Sequence, residues 1–235
     1  MGTGARYVRM REMDLNGRQL VREHGWLPGV GLKATRRDAA WAFGVSGDIY
    51  DANLDYDGRL QNGVPFSTDT ATTQGRITAE MSWQLTDTTA LIGGIEYDGW
   101  RRHVLGRGSI AGVKERYSSW RLLAGASSTA WRSSSADFRL KGLMVLAGPE
   151  HLHAHFENQL YDDAVLTTKS AAGLRLDLTA YPRAFPHFSF GINVDWMRIR
   201  RSNDEILRKD GLPAGTVTQP QHERSAIGFH ADYRF

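Results

Sequence analysis

Three aspartates and three histidines are the side chains in this sequence best suited to chemistry. Asp51, Asp55 and Asp57 lie close together, the last two in the string LDYDG; His151, His153 and His155 alternate near Glu150, Glu157, Asp162 and Asp163. Carboxylates facing imidazoles across a cleft can polarise a water for nucleophilic attack. Histidines at every second position of an extended segment share one face, a geometry that can suit a surface metal. The spacing fixes no carboxylate partner for them, so solvated histidines are expected, with no metal and no cofactor. There is no GxSxG elbow, phosphate-binding glycine loop or HExxH helix. The absence of cysteine removes disulfides, zinc-thiolate sites and cysteine nucleophiles together.

Whether these acids and histidines meet depends on the elements that carry them, and those elements read as strands. From Arg224 to Phe235 the apolar residues Ile227, Phe229, Ala231, Tyr233 and Phe235 alternate with Gly228, His230, Asp232 and Arg234. That is strict period two. Upstream, Phe188 to Trp196, Leu174 to Ala180, Phe138 to Leu146, Trp120 to Ala126, Leu91 to Tyr97, Ile77 to Leu85, Trp41 to Ile49 and Val30 to Ala34 repeat it, and Arg6 to Glu12 gives a weaker first strand. About ten strands result, with eight or twelve as alternatives.

No stretch approaches the ~18 apolar residues of a membrane-crossing helix. Alternation nevertheless gives each strand one apolar and one polar face, the pattern of barrels that cross membranes with strands. A terminal Phe235 with Tyr233 and Phe229 at two-residue steps resembles the C-terminal insertion signal of bacterial outer-membrane barrels. The resemblance implies export, insertion by the barrel assembly machinery and residence in the bacterial outer membrane. Met1 to Gly4 has neither the basic nor the apolar region of an export signal, so a mature chain is expected. The whole chain, 1–235, reads as one domain: a closed antiparallel up-and-down transmembrane β-barrel.

Short links are expected after strands two, four, six and eight. Long ones fall at Asp14–Trp26, Asp51–Thr72, Gly106–Lys114, Gly148–Thr168 and Ser202–His222. Outer-membrane barrels keep short turns in the periplasm and long loops outside, which places both termini in the periplasm and five loops at the exterior. LDYDG reads as a strand-end turn built of turn-favouring residues. Trp26, Trp83, Trp100, Trp120, Trp131 and Trp196 lie toward strand ends and suggest interfacial girdles.

Ten strands, an aspartate pair after strand three and an acidic, histidine-bearing loop after strand seven are similar to the omptins, outer-membrane proteases whose mouth holds an Asp–Asp pair opposite an Asp–His pair. The resemblance implies Asp55 and Asp57 for the first pair and one histidine, taken as His153, for the second. The omptin spacing puts Asp two residues before its His, whereas Pro149, His151 and His153 occupy those places here.

With the apolar parity toward lipid, the lumen receives Arg76, Glu80, Glu96, Asp98, Arg121, Arg139, Arg175, Asp177, Asp195 and Asp232. Charges of both signs should pair across strands, and about ten strands are too few for a wide aqueous pore. Of 29 basic residues five are Lys (33, 114, 141, 169, 209), leaving 24 Arg. Arg binds phosphate in bidentate fashion, which suits lipopolysaccharide; spread through alternating strands, it makes no nucleic-acid module. The leading expectation is a non-enzymatic structural or interaction barrel in contact with outer-membrane lipid and lipopolysaccharide. An omptin-like protease or other rim hydrolase is the alternative, and a narrow solute channel the third.

Overall fold

The computed structural model describes residues 1–59 and 63–235. The period-two segments are strands: β1 (Gly2–Met13), β2 (Gln19–Asp38), β3 (Trp41–Arg59), β4 (Pro65–Gln84), β5 (Thr89–Val104), β6 (Val113–Arg132), β7 (Ala136–Ala147), β8 (His151–Phe156), β9 (Ala164–Thr167), β10 (Ala171–Pro182), β11 (Phe188–Ile199), β12 (Glu205–Lys209), β13 (Leu212–Val217) and β14 (Gln221–Tyr233). Ten of them close a ring in the order β5-β4-β3-β2-β1-β14-β11-β10-β7-β6, with β6 returning to β5. Neighbours are antiparallel throughout, from β1 against β14 to β5 against β6. Closure pairs both edges of every ring strand, which lets a sheet sit in lipid without orphaned backbone groups. The expected ten-stranded closed barrel is the observed architecture.

The apolar parity faces outward. Val45, Ile77, Ile95, Leu122, Met144, Leu176, Ile192 and Phe229 are all exposed on the outer wall. Trp26, Trp120 and Trp196 ring the wall toward the long-connection end, and Trp41, Trp83 and Trp131 toward the other. Trp120 and Trp131 are separated by eleven residues along one strand, roughly 28 Å of height at a rise of ~3.3 Å and a tilt of ~40°. That matches the apolar band of an outer-membrane barrel. Trp100 is the exception to the girdle reading: it shares the parity of Glu96 and Asp98, points into the barrel and is 2% exposed.

Several predicted long loops are largely strand. β2, β4 and β6 each run to 20 residues, about twice the ~9–11 needed to span a bilayer, so the barrel continues well past its aromatic ring. LDYDG is therefore not a turn. It lies within β3, paired to β2 and β4. The remainder of the predicted Asp51–Thr72 loop includes Leu60–Asn62, outside the described residues. The fourth long connection holds the β8–β9 extension of the wall, and the fifth holds the separate β12–β13 hairpin. Asp162 ties these two together, its backbone N donating to Arg208 O at 2.9 Å while its carboxylate accepts from the N–H groups of Asp210 and Gly211.

At Gly148–Glu150 the wall changes parity. Leu143, Val145 and Ala147 face inward before the break, and Glu150, Leu152 and Ala154 after it. Pro149 has no N–H to give the ladder; β6 pairs β7 up to Ala147 and resumes with β8 at His151. The interior is also asymmetric. Leu123, Leu143, Val145, Ala171, Met197 and Ile199 make an apolar cluster against the β6–β7–β10–β11 wall, while charged side chains share the rest with two smaller apolar clusters, one around Trp100, Tyr117 and Leu152 and one of Val8, Leu27 and Leu54.

Candidate functional site

The parity of β3 decides the fate of the aspartates. Asp51, Asp55 and Asp57 continue the outward register of Val45 and Ile49, so they decorate the outer wall above the aromatic ring. Asp55 lies opposite His24 of β2, with His24 Nδ1 3.3 Å from its carboxylate. Asp57 lies opposite Arg22, which donates to it at 2.7 Å, and also accepts from Ser67 Oγ at 2.9 Å. These donors hold the Asp57 carboxyl below its ordinary value, the Arg22 hydrogen bond contributing most.

The histidines face outward as well, because of the break at Pro149. His151, His153 and His155 are exposed on β8, whereas Leu152 and Ala154 turn inward. Three strands, β4, β5 and β6, separate β3 from β8 around the wall. The structure thus does not bring Asp55, Asp57 and His153 together around one water. His155 pairs instead with Asp163 at 2.7 Å, and among the described residues no group of three His, Cys, Asp or Glu side chains is arranged to hold a metal.

Of the predicted lumen residues Arg76, Asp195, Arg175, Glu96, Arg121 and Asp98 form one connected lattice. Arg76 donates to Asp48 at 3.2 Å and to Asp195 at 3.0 Å; Arg175 donates to Asp195 at 2.6 Å and to Glu96 at 2.8 Å. Arg121 meets Glu96 and Asp98 at 3.2 and 2.5 Å, and Lys141 meets Glu80 at 2.5 Å. Nearer the short-turn end His230 lies 3.5 Å from Asp232 and 3.9 Å from Asp177. Gly191 makes room for that imidazole, since a Cβ there would collide with the ring. Arg139 stands apart: exposed toward that end, its guanidinium lies 5.7 Å from the Tyr181 ring centroid, and it joins no ion pair among the described residues.

Sequence reasoning did not single out a second layer toward the long-connection end. There Arg102 is buried among three carboxylates. It pairs with Glu23, donates to Glu115 at 2.5 Å and lies 3.5 Å from Glu12. Tyr117 and Gln219 complete the cluster, Tyr117 OH donating to Glu115 at 3.0 Å and Gln219 Nε2 to Glu12 at 3.2 Å. Beside it Arg224 donates to Glu150 at 2.6 Å, and His222 Nε2 is 3.2 Å from the other Glu150 oxygen. The signal was present in β5, where the inward register of Glu96 and Asp98 runs on to Trp100 and Arg102.

One feature of the outer wall carries unneutralised charge. Arg101 of β5 lies directly opposite Arg116 of β6, and Arg116 opposite His153 of β8. All three are exposed, and none has a carboxylate partner among the described residues. Like charges opposite one another across strands are destabilising. The adjacent Lys114 and His103 differ, both meeting Glu157, at 3.3 and 2.8 Å. Lower on the same two strands the exposed Tyr97 and Trp120 rings lie 5.1 Å apart.

A closed, ten-stranded antiparallel barrel with an apolar outer belt and a charged interior defines a transmembrane barrel of the bacterial outer-membrane class. Among solved structures the chain is similar to the outer membrane protease OmpT from Escherichia coli, with a TM-score of 0.56, 11% identity and coverage of 100% of this chain and 94% of that one. It is also similar to the translocator domain of the autotransporter NalP from Neisseria meningitidis, with a TM-score of 0.53, 11% identity and coverage of 100% and 87%. No family model matches the sequence, and no curated protein matches it. At that identity the likeness is one of fold.

Proposed function

We propose that this barrel has a structural or interaction role in the outer membrane and presents its outer wall to lipopolysaccharide phosphates. The observation that carries the reading is the row Arg101–Arg116–His153, two unneutralised guanidiniums and an imidazole on adjacent strands above the Tyr97–Trp120 ring pair. A phosphate between the two guanidiniums would offset their repulsion and accept bidentate hydrogen bonds. The aromatic pair below is suited to the headgroup boundary. In this reading the long-connection end faces outward and both termini lie in the periplasm.

The interior supports a sealed barrel over a conduit, because Arg–carboxylate contacts cross it from wall to wall. Arg175 of β10 reaches Glu96 of β5, and Arg76 of β4 reaches Asp195 of β11. The outward, separated positions of Asp55, Asp57 and His153 give a hydrolase no assembled site in these residues.

The test is lipopolysaccharide binding to the detergent-purified barrel, with heat-dependent gel mobility as the check of folding. Arg101→Ala with Arg116→Ala should weaken binding at least tenfold and leave folding intact. Equal binding by the wild type and the double variant would overturn the reading.

A further inference from the structure

Inside the barrel, bounded by β1, β3, β4, β5, β6, β11 and β14, lies a cavity of about 60 Å³. Its lining includes Arg6, Arg76, Trp100, Arg121 and Arg224, with Asp98 and Asp195 as the carboxylates. Four N–H groups on these residues, Arg6 Nε, Trp100 Nε1, Arg121 Nε and Arg224 Nε, are shielded from solvent and meet no acceptor among the described residues. Arg6, Trp100 and Arg121 are each more than nine-tenths buried.

The carboxylates at hand are already engaged. Asp98 is shared between Arg121 at 2.5 Å and Arg224 at 3.5 Å, and Asp195 between Arg175 at 2.6 Å and Arg76 at 3.0 Å. Arg6 has no carboxylate within ion-pair distance among the described residues. Its guanidinium stacks over the Tyr50 ring at 3.9 Å instead. A buried cation without a counter-charge is strongly unfavourable, and buried donors without acceptors add to the cost. On Arg6, Trp100, Arg121 and Arg224 every buried side-chain atom left without a partner is thus a donor.

Water answers this poorly, since each molecule brings two donors of its own to a place already short of acceptors. An oxyanion brings acceptors only and a charge to match Arg6. The space exceeds the ~10–15 Å³ that one water occupies by the same kind of measure. We propose that this cavity binds a small oxyanion, a phosphate or carboxylate group, held by Arg6 and the Trp100 indole N–H with Arg121 and Arg224 alongside. The site is separate from the outer-wall row and does not depend on it.

The test uses the full chain in detergent micelles with ¹⁵N-labelled tryptophan, the Trp100 indole signal being identified by its loss in Trp100→Phe. Inorganic phosphate, acetate and chloride are titrated at matched ionic strength. Phosphate or acetate should shift the Trp100 signal saturably and leave the six other indoles in place; the more effective of the two names the anion class. Arg6→Gln should weaken that response at least tenfold with unchanged heat-dependent gel mobility. If Arg6→Gln does not assemble, Trp100→Phe is read by thermal protection, and phosphate or acetate should protect it far less than the wild type. An equal response to chloride, no response to either oxyanion, or undiminished binding by the variants would overturn the proposal.

Discussion

Arg175 grips Glu96 with both ends of its guanidinium, Nη1 donating to one carboxylate oxygen at 2.8 Å and Nη2 to the other at 3.1 Å, across an interior that separates β10 from β5. A buried fork-to-fork pair fixes distance and direction together. Breaking one side of a buried pair costs about 3–5 kcal/mol where the other charge is left alone; here Glu96 keeps Arg121 and Arg175 keeps Asp195, which places the loss at the lower end of that range. Arg175→Leu or Glu96→Leu alone should lower unfolding stability in detergent by that order. The double variant should be less damaging than the sum of the two. Strict additivity in a double-mutant cycle would show that the contact carries no coupling.

Ile192 and Asn193 are neighbours with opposite fates. Ile192 stands exposed on the outer wall of β11, while Asn193 turns inward against Gly228 of β14. Ile192→Arg should cost about 2–4 kcal/mol, the range for a basic residue near the midplane of a membrane barrel. Asn193→Arg should depend on the lumen carboxylates instead, and so should differ in its response to salt and pH. Refolding into lipid vesicles at several urea concentrations measures both. Equal, mild losses would mean that β11 does not face lipid.

The parity of single strands was legible in the sequence because lipid removes any reward for a polar residue on one face and burial penalises an unpaired charge on the other. Ile192, Phe229 and Arg76 could be assigned by counting in twos, and so could the ring of ten strands. Four features were not legible there. Nearness to a strand end groups Trp100 with the girdle residues, although the register of Glu96 and Asp98 sends it inward. The residue types of LDYDG favour a turn, yet cross-strand pairing of Asp55 with His24 and Asp57 with Arg22 keeps it in a strand. The inversion at Gly148–Glu150 turns His153 to the outside, and no periodicity foretells a break that depends on one proline. The Arg102 cluster draws on β1, β2, β5 and β6, so its assembly belongs to the closed ring.

Phe235 is 98% exposed, and among the described residues its ring meets one other aromatic ring, that of Tyr233, edge-on at 5.1 Å. It therefore contributes little to the folded barrel itself. Deleting it should leave urea stability of the refolded protein within about 0.5 kcal/mol of wild type, as for a surface change. Assembly in the outer membrane should nevertheless fall, with precursor degraded in the periplasm. Unchanged surface levels after deletion would show that the terminal ring is not read as an insertion signal.

Asp57 offers a pH test at the protruding end of the wall. Its carboxyl is held below the usual 3.8 by the Arg22 and Ser67 donors. A depressed folded-state pKa gives stability that is present above the unfolded value and lost as pH falls through the folded one. The β2–β3 edge should thus be fully protected above about pH 5 and loosen below 4. Asp57→Asn should flatten that change in hydrogen exchange at Arg22 and Glu23. An identical acid response in the variant would assign the effect to other groups.

The remaining test separates an inert rim from a hydrolase. In a working site of the omptin kind, acids and histidine would act on one water, and loss of either side would abolish most turnover. Here Asp55 faces His24 on the outer wall, Asp57 is engaged by Arg22, and His153 stands on β8 with three strands between. Purified barrel supplied with lipopolysaccharide should therefore cleave no peptide containing paired basic residues. The double change Asp55→Asn with Asp57→Asn keeps size and removes both charges, so it should alter only local electrostatics, and His153→Asn should do no more. Because His24 is the imidazole nearest to Asp55, His24→Asn is the matching control for a site on the outer wall. Cleavage that survives extensive purification and disappears in the aspartate and His153 variants, with barrel mobility on gels unchanged, would establish the protease and require a rearrangement that carries β8 toward β3.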